Sequence, residues 1–450
     1  MLKTPVSSLP IVLASVLSSF LSCSVFAQDY VFKQVNVLSF AEQGFLPTMD
    51  VAVSDGKISA IKSSIDVDGA IIIDARGKYL IPGLTEMHAH VPPVSADNEN
   101  IEDLLFLFNA YGVTTIRSML GHVSHIALQE QLKANRINGP RLITSGPSFN
   151  GNSIQSAEQA KTSVQRQAEQ GFDFIKIHPG LSATVFQAMA REATAINIPF
   201  AGHVSASVGI VESITSGQST VDHLDGVLEE LAGRSGKTLP EQTGFFGSAI
   251  VDLINEKDIE PLAKELAESS VAMVATETLM YGFLTGEEVD PEVLALMPGD
   301  VVENWRQTRL QMQQASWYSP QNIKKLLRIR QEFLQQFVKH HGLVLTGSDA
   351  PQVYNVPGYS LHQEMTLMQR SGMTPLQVLA ATTIAPAKFF EKAGEFGSIE
   401  IGKSADLVLL DTNPLLDISN TRSISGVMAR GHWLPKSAID SRLQKIRDKH

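Results

Sequence analysis

The sequence PGLTEMHAHVPP, residues 82–93, joins a short apolar strand pattern to two histidines that lie one residue apart. Alternate side chains of a β-strand project from one face, so His88 and His90 point the same way about 6.6 Å apart. The two prolines that follow Val91 end the strand, because proline cannot donate to a sheet ladder. Taken alone, the pair is compatible both with half of a metal site and with two ordinary histidines.

Strand and helix patterns alternate from this stretch onward. Apolar runs of strand length recur, and helical stretches such as 154–170 and 183–196 lie between most of them. The predicted strands are 84–90, 113–119, 140–145, 172–178, 198–204, 219–224, 271–276 and 343–349. Eight strand–helix units predict an α/β fold, specifically a (β/α)8 TIM barrel. An open doubly wound sheet is the alternative, but no glycine-rich dinucleotide loop follows an early strand.

Short alternating apolar runs, separated by turn residues, flank this region on both sides and predict a small β unit at each end. We expect the two units to pair into one β-sandwich domain, formed by residues 28–82 together with 392–436. The barrel then takes residues 83–391. Two connections within it, 225–270 and 278–341, are too long for ordinary loops and predict helical insertions that carry substrate specificity.

The first 27 residues differ in composition from the rest of the chain. Lys3 is their only charged residue, an apolar and serine-rich run fills 10–22, and Val25-Phe26-Ala27 offers small residues, Val25 and Ala27, for a cleavage site. This pattern predicts a secretory signal peptide, residues 1–27, and a periplasmic or secreted protein with no stable membrane span after cleavage. A membrane anchor and a lipid attached to Cys23 are the alternatives.

Composition and charge restrict the class of protein further. Of the 450 residues 43% are hydrophobic and 18% are charged, which is typical of a globular protein. Cys23 is the only cysteine, so a mature chain has no disulfide, thiol nucleophile or cysteine metal site. The formal net charge is −11, and removing Lys3 makes it about −12. Nucleic acid is therefore not an expected partner.

Four later predicted strands also end on residues that can bind a metal. They are Lys176 together with His178, then His203, His223 and Asp349. Each could be a structural residue by itself, but the recurrence at one end of one barrel predicts a metal site. Imidazole and carboxylate ligands suit zinc, manganese, iron or cobalt. Lysine can take part only when it is neutral, or after carbon dioxide has converted it to an anionic carbamate.

Six segments together resemble the amidohydrolase superfamily, in its imidazolonepropionase-like and Xaa-Pro dipeptidase-like branch. The segments are GKYLIPGLTEMHAH, GFDFIKI, GHVS, VDHLDG, LTGSDAP and GSIEIGKSADLVLLDTNPL. Their order and spacing extend the resemblance over nearly all of the chain after residue 28. It implies the TIM barrel and the returning β segment that were predicted above.

The resemblance also implies a binuclear site, with two zinc ions per chain as the expected cofactors. One metal would be held by His88, His90 and Asp349, a second by His203 and His223, and a carbamate formed from Lys176 and carbon dioxide would bridge them. Metal-activated water would attack a carbonyl, with Asp349 as the general base that later returns the proton. Glu86 departs from the family pattern, which usually has aspartate there, and no ligand role is assigned to it.

Three further residues are candidates for contact with the substrate: His178, Arg117 and Tyr281. Arg117 could equally form a structural ion pair. The remaining polar residues near these strands are expected to have other roles: His122 and His125 at the surface, and His362 and Glu364 in the structure.

These features predict an exported, metal-dependent amidohydrolase that acts on a small amide or peptide, such as a dipeptidase or an N-acyl amino-acid hydrolase. A mononuclear cyclic-amide hydrolase is one alternative, and a non-catalytic secreted binding protein is another. The sequence contains neither the Gly-x-Ser-x-Gly motif of serine hydrolases nor the His-Glu-x-x-His motif of other zinc peptidases. A homo-oligomer is compatible with the predicted barrel.

Overall fold

A computed structural model describes residues 28–94 and 99–450. The predicted signal peptide, residues 1–27, and the candidate lipidation site Cys23 lie outside the described residues. A search of the described helices finds none with the length and apolar character needed to cross a membrane.

The N-terminal segment is made of short β-strands. They are β1 (Tyr30–Ser39), β2 (Gly44–Ser54), β3 (Lys57–Lys62), β4 (Ile71–Asp74) and β5 (Tyr79–Pro82). A tight turn joins β2 to β3, with φ of 50° at Asp55 and 72° at Gly56. Aspartate followed by glycine suits this hairpin because both tolerate positive φ.

The next eight strands coincide with the eight predicted from the sequence. They are β6 (Leu84–Ala89), β7 (Val113–Ser118), β8 (Arg141–Thr144), β9 (Ile175–Ile177), β10 (Phe200–Gly202), β11 (Thr220–Asp222), β12 (Ala272–Val274) and β13 (Leu343–Val344). All eight end earlier than predicted. At β11 the left-handed backbone of His223 (φ 64°), the residue directly after the strand, explains the early end, because it interrupts the ladder where a candidate ligand begins.

Helices follow most of these strands. They are α1 (Glu99–Ala110), α2 (Ser124–Lys133), α3 (Ala157–Glu169), α4 (Ala183–Ala195), α5 (Ile210–Thr215), α6 (Val227–Arg234), α7 (Ile259–Ala267), α8 (Glu277–Leu284), α9 (Pro291–Leu294), α10 (Gly299–Gln314), α11 (Pro320–Lys339), α12 (Tyr359–Arg370), α13 (Pro375–Thr382) and α14 (Ile384–Phe389). Serine side chains at Ser156, Ser182 and Ser319 accept backbone N–H groups and so begin α3, α4 and α11.

The eight strands run parallel and follow one another in chain order. Strands β6 to β8 form one sheet, and β9 to β13 form another. Isolated parallel bridges connect the two sheets: Ser145 with Phe174 between β8 and β9, and Ala89 of β6 with Ala350, which follows β13. The carboxyl ends of all eight strands therefore lie on the same side of the fold.

The C-terminal segment returns to the N-terminal strands. It contains β14 (Leu407–Leu410), β15 (Ile424–Ala429), β16 (His432–Pro435) and the final helix α15 (Lys436–Lys449). Strand β14 pairs antiparallel with β5, with Leu407 opposite Pro82 and Leu410 opposite Tyr79. The resulting eight-stranded sheet has the order β16-β15-β14-β5-β1-β2-β3, with β4 paired to β1. Strands from both ends of the described chain thus share one sheet.

Helices occupy both long connections that the sequence marked as insertions. The first contains α6, α7 and three short 3-10 turns, at Phe245–Gly247, Val251–Leu253 and Glu256–Asp258. The second contains most of α8 and all of α9, α10 and α11. The apolar residues Ile329 and Phe333 of α11 are fully buried, and this helix packs against α7. The two insertions therefore support each other beside the strand ends.

Candidate metal centre

Five imidazole rings lie together at the carboxyl ends of the parallel strands. We call His88, His90, His178, His203 and His223 the histidine cluster. Neighbouring ring centroids are 5.5 Å apart for His88 and His90, 4.5 Å for His88 and His223, 4.6 Å for His203 and His223, and 5.1 Å for His178 and His203. His88 lies in β6 and the other four rings directly follow β6, β9, β10 and β11, so the fold brings together histidines that are up to 135 residues apart in sequence (88 to 223).

The carboxylate of Asp349 completes one end of the histidine cluster. Its Oδ1 lies 2.6 Å from His90 Nε2 and 3.5 Å from His88 Nε2. One ligand atom from each of these three residues lies within 4.8 Å of the other two. Among the described residues Asp349 Oδ1 forms no aligned hydrogen bond, although it is buried. Oxygen and nitrogen atoms that converge without hydrogen-bonding one another are suited to a shared divalent cation.

Lys176 lies in the same interior and is completely buried. Its Nζ has no hydrogen-bond partner among the described residues. Gly202, with φ of 123°, leaves room for the Lys176 side chain, because any larger residue would place its Cβ only 2.9 Å from Lys176 Cδ. Burial lowers the pKa of the Lys176 amine to about 8. A buried amine without a partner fits the metal-bridging role that the resemblance implies for this lysine.

Strained backbone holds the ligand side chains in place. His223, Leu224, Thr276 and Asp349 all have positive φ, between 48° and 65°, although none is glycine. Such conformations cost about 1–3 kcal/mol each and persist where the surroundings enforce them. The buried Arg330 of α11 is one such support, since it donates to the carbonyl of His223 at 2.8 Å.

Side chains on the neighbouring residues orient three of the imidazoles through Nδ1. His203 is hydrogen-bonded to Asp225 Oδ2 at 3.0 Å and His223 to Thr276 Oγ1 at 2.7 Å, whereas His88 Nδ1 lies 2.7 Å from Asp222 Oδ2 in an ion-pair contact without an aligned hydrogen bond. An Nδ1 contact of this kind leaves Nε2 free to bind a metal. Sequence reasoning missed all three partners. The acidic residues of VDHLDG, on either side of His223, were the available signal for two of them.

Burial favours the uncharged form of three rings of the histidine cluster, His88, His178 and His223. Burial lowers the pKa of His88 and of His223 well below the ordinary value. Burial, and secondarily the charge of Lys176, lowers the pKa of His178 to about 2. Neutral imidazole is the form that binds metals, so burial prepares these rings as ligands.

Glu86 connects the strand that carries His88 and His90 to the segment that carries Asp349. Its Oε1 accepts the backbone N–H groups of His88 at 2.9 Å and Ser348 at 2.8 Å, and its Oε2 accepts the Ser348 hydroxyl. Burial raises the pKa of the Glu86 carboxyl to about 7. Glu86 therefore supports two segments that carry candidate ligands. This role explains why its side chain lies on the same face of β6 as His88 and His90.

Glu86→Ala is expected to destabilise the metal-free protein by about 3 kcal/mol or more, because it leaves several buried donors without an acceptor at about 1–3 kcal/mol each. Glu86→Gln keeps one oxygen for the two backbone amides and is expected to cost less than half as much. Urea unfolding of both variants measures the difference. Equal stability of Glu86→Ala and the wild type would contradict this supporting role.

Arg117 lies inside the fold and is only 1% exposed. Its guanidinium donates to the carbonyl of Met87 at 2.6 Å and contacts Thr220 Oγ1 at 3.2 Å and Asp222 at 3.4 Å. These are the contacts of a structural ion pair, the alternative that the sequence left open, and they do not make Arg117 accessible to a substrate. Arg117 instead pairs with the carboxylate that orients His88.

The other candidate residues occupy distinct environments. His178 stacks on His203 within the histidine cluster. Tyr281, on α8, is half-buried and lines a surface pocket of about 560 Å³ with residues of α11. The structure does not bring Tyr281 into ring contact with the histidine cluster, so it is not part of the candidate metal centre.

Four polar residues outside the candidate metal centre were predicted to lie at the surface or to have structural roles. His122 is exposed, as expected, but His125 is fully buried, so its expected surface position is wrong. Its Nε2 lies 3.1 Å from the carbonyl of Pro92 because α2 begins against that loop. His362 and Glu364 are buried structural residues: His362 bridges Thr421 Oγ1 and the carbonyl of Tyr111, and Glu364 accepts the N–H of Thr278.

The chain is similar in sequence to a dihydroorotase and in fold to two solved hydrolase structures. Dihydroorotase from Bacillus cytotoxicus is 36% identical over 92 residues, so this match spans about a fifth of either protein: 20% of this chain and 21% of the dihydroorotase. Two solved structures match over nearly the whole chain. A putative prolidase from Bifidobacterium longum has a TM-score of 0.66 at 23% identity and covers 94% of this chain and 99% of its own. A bottromycin amidohydrolase has a TM-score of 0.72 at 21% identity, and the match covers 93% of this chain and 89% of the bottromycin amidohydrolase.

These two structural likenesses concern the fold, since both identities are below 25%. The family model is more specific. It describes the amidohydrolase family and matches residues 79–434, a range that contains the histidine cluster, Lys176 and Asp349. The resemblance inferred from the six sequence segments is thereby confirmed, and the chain belongs to the amidohydrolase family of hydrolases.

Proposed function

We propose that this protein is an exported, metal-dependent amidohydrolase that hydrolyses the C–N bond of a dipeptide or an N-acyl amino acid. The observation that carries the proposal is the convergence of His88, His90 and Asp349, whose ligand atoms lie within 4.8 Å of one another. Family membership supports metal-dependent hydrolysis, and the full-length fold match to a putative prolidase supports a peptide-like substrate.

The ligand set fits two divalent metals, and zinc is our proposed pair. His88, His90 and Asp349 would hold one ion, His203 and His223 the second, and Lys176 would bridge them. The buried Nζ of Lys176, which has no hydrogen-bond partner in the described part of the chain, supports this bridge. For the bridge to form, the unprotonated Nζ attacks carbon dioxide, an N–C bond forms, and one proton leaves the nitrogen to give an anionic carbamate. When bound, the metals supply a Lewis acid that polarises a carbonyl and acidifies water.

The proton transfers are assigned to a protein side chain, Asp349. Asp349 accepts the proton of the attacking water and delivers it to the departing nitrogen, so it acts first as a base and then as an acid. Asp222, Asp225 and Thr276 keep His88, His203 and His223 in fixed orientations throughout. His178 is proposed to contact the substrate, because it stacks on His203 at the edge of the cluster.

The proposed architecture has three parts. Residues 83–391 form a closed (β/α)8 barrel, supported by the bridge between β8 and β9 and by the bridge from β6 to the segment after β13. Residues 28–82 and 392–436 form the β-sandwich domain, supported by the pairing of β5 with β14. Residues 1–27 are the signal peptide, and the intact mass of the exported protein tests removal of that segment.

A mononuclear cyclic-amide hydrolase is the second candidate function. The local similarity to dihydroorotase favours it, because that enzyme's name denotes a cyclic substrate. In this alternative Lys176 stays uncarboxylated and one metal is sufficient. The number of metals per chain therefore separates the two candidates.

The deciding experiment reconstitutes the purified protein with zinc and bicarbonate and screens dipeptides, N-acetyl amino acids and cyclic amides. We expect two zinc ions per chain and release of amino acid from a linear substrate, with His90→Ala as a variant that loses metal and activity. One zinc per chain with turnover of a cyclic amide alone would favour the second candidate. Ligand binding without hydrolysis in any substrate class would instead support a non-catalytic binding protein.

A further inference from the structure

An aromatic side chain from the first insertion lies directly against the candidate metal centre. The ring centroid of Phe246 is 5.5 Å from that of His223 and 6.3 Å from that of His203, and it is nearly parallel to the latter at 24°. Phe246 is only partly buried, so its ring remains accessible beside these imidazoles. Phe246 therefore lies within reach of a small molecule bound beside these two histidines.

The backbone around Phe246 is built to hold it there. Phe246 has φ of 47° and ψ of 46°, in the left-handed region that aromatic residues rarely adopt. Gly244 and Gly247 flank it with φ of 79° and 78°. A Cβ at Gly247 would lie 2.8 Å from Leu228 of α6, so the turn is packed closely onto that helix. Strain of this kind persists at sites where the surrounding structure fixes a functional side chain.

Three more aromatic residues continue the surface away from the metal centre. We call Phe245, Phe246, Phe283 and Trp317 the aromatic cluster. Phe245 lies 4.8 Å from Phe246, 5.0 Å from Phe283 and 6.2 Å from Trp317, measured between ring centroids. All four side chains are partly buried and uncharged. They come from both insertions, so neither insertion alone creates the surface.

We propose that the aromatic cluster is the substrate-specificity surface of this enzyme, and that its preferred substrates carry an aromatic or large apolar side chain beside the scissile C–N bond. This inference rests on the proposed function, because it takes the histidine cluster as the place where that bond is held. An aromatic substrate ring would pack on Phe246, and Phe245 would enlarge the apolar surface beside it. Aromatic rings favour stacked and edge contacts at the spacings found here.

A purely structural role for Phe246 makes a different prediction. If the ring served only to brace His203 and His223, its removal would disturb metal binding and affect all substrates alike. If it contacts the substrate, its removal affects aromatic substrates selectively and leaves the metal content unchanged. Phe246→Ala and Phe246→Leu therefore distinguish the two roles, with Phe40→Ala as a control at a partly buried aromatic position in the N-terminal segment.

The first measurement uses metal-free protein and does not depend on turnover. Saturation-transfer NMR with N-acetyl-L-phenylalanine is expected to show the strongest transfer to the phenyl ring in the wild type and in Phe40→Ala. That signal is expected to fall at least about fivefold in Phe246→Ala, whereas N-acetyl-L-alanine gives a weak signal in every variant. A phenyl signal that Phe246→Ala leaves unchanged would overturn the inference.

The second measurement uses the zinc-loaded enzyme and compares kcat/KM for hydrolysis of the same two compounds. Phe246→Ala is expected to reduce the preference for the phenylalanine derivative by about 10-fold or more, chiefly through KM, with Phe246→Leu intermediate. Equal loss for both compounds, or loss of zinc, would assign Phe246 a structural role. Selective binding without hydrolysis would leave this inference standing and contradict the proposed function.

Discussion

Asp349→Asn is expected to retain metal and to lose about 10²–10⁴-fold in kcat, the usual contribution of a general acid–base group. The amide keeps an oxygen where Asp349 Oδ1 now lies, 2.6 Å from His90 Nε2, but it can neither accept the proton of water nor return it to the leaving nitrogen. Zinc analysis and steady-state kinetics on the same preparation check both halves of the prediction.

The matched variant is Asp349→Ala, which removes the oxygen ligand as well as the base. It should lose metal from the pair His88 and His90, whereas Asp349→Asn should not. Turnover by Asp349→Asn within a fewfold of the wild type would show that another group manages the proton. Loss of metal from Asp349→Asn would show that charge at this position, and not only an oxygen atom, holds the ion.

Lys176→Met is expected to have opposite effects on the metal-free and metal-loaded protein. The Nζ of Lys176 is buried without a partner among the described residues, and such a group costs about 1–3 kcal/mol. An apolar side chain of similar length should therefore keep or raise the free energy of unfolding of the metal-free protein. The same change removes the proposed bridge, so at least one zinc per chain and most of the activity should be lost.

Bicarbonate gives this prediction an internal control. The zinc content of the wild type should rise when bicarbonate is supplied during reconstitution, and that of Lys176→Met should not respond. If Lys176→Met binds zinc as the wild type does, the carbamate bridge is ruled out and the mononuclear alternative is favoured. Urea unfolding of the metal-free variant ensures that a failure to fold is not mistaken for a loss of metal.

Much of the fold and the core of the site could be predicted because they depend on periodic patterns. The apolar runs identified all eight parallel strands, and the prolines after His90 marked the end of the first of them. Since parallel strands deliver their carboxyl ends to one side, histidines that follow different strands had to meet. The grouping of His88, His203 and His223 is a direct result of that rule.

The residues that the sequence did not reveal act through directional contacts without periodicity. Thr276 reaches the Nδ1 atom of His223 from outside a strand, and nothing in its spacing indicates this, whereas for Asp225 the acidic residues around His223 were the only signal. Arg117 could not be assigned from the sequence, because substrate and buried carboxylate are equivalent partners for a guanidinium. His125 was misplaced because its burial depends on a loop carbonyl at Pro92, which only the tertiary structure brings close.

The pairing of β5 with β14 also determines the order in which the molecule can be completed. Pro82 lies opposite Leu407, so β5 has no partner on that edge until nearly the entire chain has been made. Contacts this distant in sequence form late, since a long loop must be closed first. A nascent chain that lacks β14 keeps an open sheet edge and stays short of its final fold.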